Sequence, residues 1–232
     1  MNPGDAAESH SDFAELLATS NFSFLKGASH PEELVAQSSV LGYGAIGLCD
    51  ECSLAGIVRA YQAAKENGVK LLVGAQFVVS FSSEFAGQRL AFLTKNREGY
   101  TQLCRLITRA RTRADKGDYL FTKQDLSSPA PGLLLILIPE ERSKAGFPAF
   151  LTWCASRYQG RIAVAFHNSQ QGFDAQWLAY LQTLTGLYQT PLIASQLPAM
   201  HSPQRKPLHD IITAIRMNCS LHEARSELLP NA

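Results

Sequence analysis

The sequence predicts an α/β fold, a distorted (β/α)7 barrel of mostly parallel strands, on three observations. Short apolar runs alternate with longer helix-like segments along nearly the whole chain. About seven such units fit within 232 residues, which favours a closed or nearly closed barrel over an open sheet. No internal repeat, low-complexity tract or heptad run offers a competing architecture. Strands separated by helices pair in parallel through right-handed crossovers, and such a sheet needs helices to cover it.

Local signals place each element along the chain. Residues 1–12, polar and acidic, read as a disordered leader. Residues 13–19 form an apolar run fit for a first strand, and the turn-rich SNFSFLKGAS follows. Ser29-His30-Pro31-Glu32 matches a capping box, with a hydroxyl at the N-cap, proline in the first turn and glutamate three residues on. The helix it opens ends near Gly42, where a left-handed cap is tolerated. Residues 45–49 make a second strand, 53–67 a helix stopped at Gly68, and 69–73 a third strand. Strand, helix, strand and helix then follow at 90–94, 97–114, 133–138 and 147–158. The pattern closes with a strand at 162–166, a helix at 173–188 and a strand at 192–194.

Composition bounds the function classes. With 46% hydrophobic and 18% charged residues the chain is a soluble globular protein with a sizeable core. Its longest apolar run, 132–139, suits a buried strand and falls far short of the roughly 20 residues of a spanning helix. The first residues lack a cationic start followed by an apolar core, so no secretory signal is expected. Five cysteines without close pairing point to reduced thiols in a cytoplasmic protein. A net charge of +1 makes the whole chain no obvious nucleic-acid binder.

In a barrel, functional groups gather where strands end and loops begin. Those segments are Leu17-Ala18-Thr19-Ser20, Cys49-Asp50-Glu51-Cys52, Gly74-Ala75-Gln76-Phe77 and the stretch from Ser195 to His201. Other features read more plainly. Cys49 and Cys52 have the spacing of a zinc or redox half-site, but no second pair exists and they read as structural thiols. Arg105, Arg109 and Arg113 form an i, i+4 stripe that is a solvated helix face or, alternatively, a contact for nucleic acid or an acidic partner. His167 and His209 read as hydrogen-bonded structural residues. Ser20, Ser23 and Ser53 lack the context of a nucleophilic serine, and no glycine-rich phosphate loop is present.

The segments SNFSFLKGASHPEELV, LGYGAIGLCDECSLAGIVRA and GVKLLVGAQF resemble the N-terminal PHP domain of bacterial C-family DNA polymerases. TKNREGYTQLCRLITRARTRADKGDY, RKPLHDIITAIR and the ending LLPNA extend the resemblance over almost the whole chain. It is most similar to the error-prone DnaE-type branch known as ImuC. The resemblance implies a PHP-type barrel over residues 13–232, with 205–232 leading toward a polymerase palm. It also implies a ligand pattern of His-x-His, Asp-His, Glu and Asp-x-His for zinc, manganese or iron. Here those positions fall on Leu17 and Thr19, Asp50 and Glu51, Gln76, and Leu197 and Ala199. Only Asp50, Glu51 and the neighbouring His201 could ligate, so no metal is expected in this domain, and magnesium would belong to the palm. By resemblance the role is structural or docking within a translesion polymerase induced by DNA damage, with the remaining polymerase domains in cis. An ImuB-like protein, a sliding clamp and DNA, reached through the full polymerase, complete the implied partners. Two alternatives stay open: a residual phosphoesterase or 3′–5′ exonuclease, and a free-standing interaction module.

Overall fold

The computed structural model describes residues 11–80, 84–127, 131–140, 145–169 and 172–229. Seven strands form one curled sheet in sequential order: β1 (Ser11–Ala18), β2 (Tyr43–Glu51), β3 (Lys70–Val78), β4 (Arg89–Thr94), β5 (Leu133–Ile138), β6 (Ile162–Phe166) and β7 (Leu192–Ala194). Helices α1 (Pro31–Val40), α2 (Ile57–Asn67), α3 (Arg97–Thr112), α4 (Lys123–Leu126), α5 (Phe147–Arg157), α6 (Asp174–Leu187) and α7 (Lys206–Met217) complete the domain. The barrel-like α/β architecture is the one the alternation predicts.

Four strand pairs are parallel, and β4 runs antiparallel to both neighbours. The reversal has a local cause: no described helix lies between β3 and β4, so the chain turns back directly instead of crossing over. Between β7 and β1 there is no described ladder. Buried Glu15 spans that seam, accepting from Ser195 Oγ at 2.5 Å and from Gln196 N at 2.7 Å. Thr19 N donates to Pro198 O at 2.9 Å on the same seam.

Three apolar clusters fill the domain. Leu17, Cys49, Ala91, Leu93, Ile136, Ile138 and Ala165 pack together without any helix residue, which identifies the barrel interior. The interior is narrow: a Cβ on Gly74 would meet Cys49 Sγ at 2.5 Å. On the outer face, one cluster joins β1 and β2 to α1 and α2, and a larger one joins the middle of the sheet to α3, α5 and α6.

Several boundaries differ from expectation. Residues 1–10 of the expected leader lie outside the described residues, but Ser11 and Asp12 already belong to β1. The first helix is capped at His30, whose N–H donates to Glu33 Oε2 at 2.8 Å, and Ser29 faces elsewhere. Helix α2 begins at Ile57, because Ser53–Gly56 are spent on the turn after β2. Strands β2 and β3 run further than the apolar runs suggest. Asp50, Glu51 and Gln76 therefore lie in strands rather than in the loops after them. Buried strands tolerate such polar residues once each side chain is hydrogen-bonded.

Candidate functional site

The two carboxylates that end β2 leave it on opposite sides, as the period of two requires. Leu48 packs under the outer helices and Cys49 inside the barrel, so Asp50 follows Leu48 and Glu51 follows Cys49. Glu51 pairs in register with Gln76 of β3, which sets both at the interior mouth.

Asp50 is buried and held by neutral donors. Oδ1 accepts from Ser20 N and Ser23 Oγ, both at 2.8 Å, and Oδ2 accepts from Ser20 Oγ at 2.7 Å. Burial pushes its carboxyl above the ordinary aspartate range, and the bonds from Ser20 and Ser23 pull only partly against that.

Glu51 is held by charge. Oε2 accepts from the Lys26 ammonium and Oε1 from Tyr119 OH, the latter at 2.7 Å. Burial alone would raise this carboxyl. The Lys26 charge and bond, the Tyr119 bond and the Arg89 charge outweigh burial and hold it below the ordinary glutamate range. Burial, and then Glu51, push the Tyr119 phenol far up, so Tyr119 stays a donor. Beside this pair, Gln76 Nε2 donates to Thr19 Oγ1 at 2.8 Å. Gln76 Oε1 accepts twice from Arg89, Nε at 2.9 Å and a terminal nitrogen at 2.6 Å. The other arm of Arg89 reaches Glu140 at 3.4 Å.

The turn-rich segment after β1 makes this geometry possible. Ser23 N donates back to Ser20 O and Lys26 N to Ser23 O, both at 2.9 Å, and Leu25 is left-handed with φ 56°. A Cβ on Gly27 would meet Ser20 O at 2.1 Å, so only glycine lets the loop close this tightly. The closed loop carries Lys26 over Glu51 and Ser23 over Asp50.

The other singled-out residues are distributed as follows. Leu17 lies in the interior cluster, and Leu197 packs against it. The late segment meets the mouth through its backbone: Pro198 O accepts from Thr19 N, and Ala199 O accepts from Ala28 N at 2.7 Å. His201 shares a hydrogen bond with Ser29 Oγ through Nδ1 at 2.7 Å and lies 3.8 Å from Glu33, which also pairs with Arg205. Asp50, Glu51 and His201 are thus absorbed in three separate sets of partners. Among the described residues, no group of three His, Cys, Asp or Glu side chains is placed to hold a metal ion.

In the arginine stripe, Arg113 bonds Asp125 at 2.7 Å and Arg109 lies 3.6 Å from the same buried carboxylate, while Arg105 is exposed. Cys49 packs inside the barrel and Cys52 outside it, so the pair is not one site. Burial pushes the Cys52 thiol up to about 11, and Cys49 higher still.

Sequence reasoning missed Lys26, Arg89, Tyr119 and Glu15. Arg89 carried a usable signal: it precedes Ala91 and Leu93 at spacing two, so it shares their inward face. Tyr119 lies beyond α3 in the chain, and no periodicity links it to β2.

A family model described as "PHP domain" matches residues 16–187. An error-prone DNA polymerase of Dechloromonas aromatica is 43% identical over 95% of this chain, and one of Ralstonia nicotianae is 40% identical over the same share. The chain spans 21–22% of the length of those relatives. Two solved structures share the fold. A candidate metal-dependent phosphoesterase of Bifidobacterium adolescentis has a TM-score of 0.53 at 12% identity, covering 80% of this chain and 87% of that one. An amidohydrolase of Chromobacterium violaceum, with sulfate and no metal, has a TM-score of 0.60 at 11% identity, covering 82% and 88%. With a sheet of seven strands and a family match across most of its length, the chain belongs to the PHP domain family, and it is similar to error-prone DNA polymerases.

Proposed function

We propose that this chain is the PHP domain of an error-prone, translesion DNA polymerase, and that it works as a structural and docking domain with a degenerate metal site. The polymerase assignment rests on the identity to error-prone polymerases over 95% of the chain. The observation that carries the role is the state of Glu51. Both of its oxygens are taken, one by the Lys26 ammonium and one by Tyr119. A divalent ion there would have to displace an ammonium and lie beside the Arg89 guanidinium, which is electrostatically unfavourable. Leu17, Leu197 and Ala199 offer no donor, and Gln76 turns its amide oxygen to Arg89. A catalytic zinc site typically needs three protein ligands, and this donor set does not fit one.

In this reading the two-magnesium chemistry of synthesis resides in a palm outside this chain. The other polymerase domains are partners in cis, and DNA is reached through them. DNA-damage-induced mutagenesis with an ImuB-like protein and a sliding clamp belongs to the same proposal, as does a cytoplasmic location. No described helix is long and apolar enough to cross a membrane.

The test is elemental mass spectrometry of protein purified without chelator, paired with hydrolysis of a chromogenic phosphodiester in added manganese. The reading expects no stoichiometric metal and no turnover. Near-stoichiometric zinc, manganese or iron with turnover that Asp50→Ala abolishes would overturn it in favour of a proofreading or phosphoesterase activity.

A further inference from the structure

Helix α7 turns a mostly polar buried face toward the domain and leaves an apolar face uncovered. His209 and Thr213 are buried on one side, and Ala214 is buried on the flank beside Ile211. On the opposite side Leu208, Ile211 and Ile215, at i, i+3 and i+7, are 40%, 46% and 58% exposed. Leu221, just beyond the helix, is exposed as well. Ile211 and Ile215 also wall a shallow groove of about 680 Å3 that runs along the helix to Leu221. An apolar ridge at helical spacing that its own domain leaves bare marks a contact surface.

We propose that the Leu208–Ile211–Ile215 face of α7 is the seat of the polymerase body. The inference rests on the reading of the chain as a domain of an error-prone polymerase. Two observations name the occupant. The family model ends at residue 187, so α7 lies outside the part this chain shares with PHP domains in general. The polymerase relatives match 95–97% of the chain, a share too large to leave α7 out, and close to four fifths of their length lies outside the match. The helix is thus common to this chain and to proteins that carry a large further body. A further exposed apolar pair, Val58 and Tyr61 of α2, is smaller, and the Lys65 ammonium already lies over the Tyr61 ring.

The experiment uses the 232-residue chain alone and the same chain fused in place of the matching region of the Dechloromonas aromatica polymerase. Each is made as wild type, as Ile211→Asp/Ile215→Asp, and as Val58→Asp/Tyr61→Asp. In isolation the α7 variant is expected to keep its melting temperature and to remain monomeric by sedimentation. In the fusion, proteolytic release of the domain from the body is expected to quicken at least tenfold for the α7 variant and to stay unchanged for the α2 variant. Faster release in the α2 variant alone would overturn the α7 surface while leaving the docking role standing. A wild-type fusion that releases the domain freely, or fails to extend a primer, would overturn the docking role itself. A dimer of the isolated chain dispersed by Ile211→Asp/Ile215→Asp would make a second copy the occupant. A melting loss in the isolated variant would return the face to the domain's own core. Either result overturns the proposal.

Discussion

Asp50 and Glu51 are adjacent in the chain and leave one strand on opposite sides, and each is satisfied by a different kind of donor. Asp50 receives three hydrogen bonds from the backbone and hydroxyls of Ser20 and Ser23, with no cation among them. Glu51 receives two, one of them from an ammonium, and it feels the Arg89 guanidinium as well. Their ionisation therefore moves in opposite directions, up for Asp50 and down for Glu51. Hydrogen-bond number does not set the direction of these shifts: Asp50, with more bonds, moves up, and Glu51, beside two cations, moves down. The two carboxylates also do separate jobs. The Asp50 side ties the loop after β1 to the end of β2, and the Glu51 side seals the interior mouth.

The largest effect is expected from removing the hydroxyl-bound carboxylate. Asp50→Ala leaves Ser20 N, Ser20 Oγ and Ser23 Oγ without their acceptor in a buried setting, and the expected loss is about 4 kcal/mol in urea unfolding. Leu17→Ala probes the apolar floor beneath Glu51 and should cost about 3 kcal/mol, the usual toll of an unfilled aliphatic cavity. Arg89→Met strips Gln76 Oε1 of two donors and is expected to cost about 2 kcal/mol. It should also move the Glu51 carboxyl upward, readable by isotope-edited NMR titration.

The smallest effect is the most diagnostic, and it is a slope. Glu51, depressed in the folded state, contributes stability that is present above its unfolded value and lost as pH falls through the folded one. Asp50, raised in the folded state, has the opposite sign. The native state holds its proton more tightly, so its term grows as pH falls through the raised folded value toward the ordinary one. Glu51→Gln should flatten the acid-side loss of stability, and Asp50→Asn should steepen it. Equal slopes in both variants would mean that the two carboxylates do not differ.

Much of the fold was legible because it rests on short-range pattern. The strand at 133–138 and those at 162–166 and 192–194 fall where their apolar runs place them. Gly68 ends α2 with a left-handed φ of 67°. What was not legible depends on tertiary closure. Asp50, Glu51 and Gln76 look like loop residues because they are polar, yet they belong to strands since partners far away in sequence satisfy them. The reversal of β4 follows from the direct link after β3, which alternation does not encode. At the site, Asp50, Glu51 and Gln76 were singled out, but Lys26 and Arg89 were not. Their importance arises only when the tight loop at Gly27 and the register of β4 bring cations to the mouth.

We propose that the protein's own Lys26 and Arg89, in place of a metal ion, neutralise the mouth of this barrel. Thermal unfolding in excess chelator and in excess manganese or zinc tests it most directly. A site filled a hundredfold above its dissociation constant would add about 2.7 kcal/mol and raise the melting temperature by several degrees. Coincident transitions are expected in wild type under all three conditions. A metal-dependent rise that disappears in Glu51→Gln would contradict it.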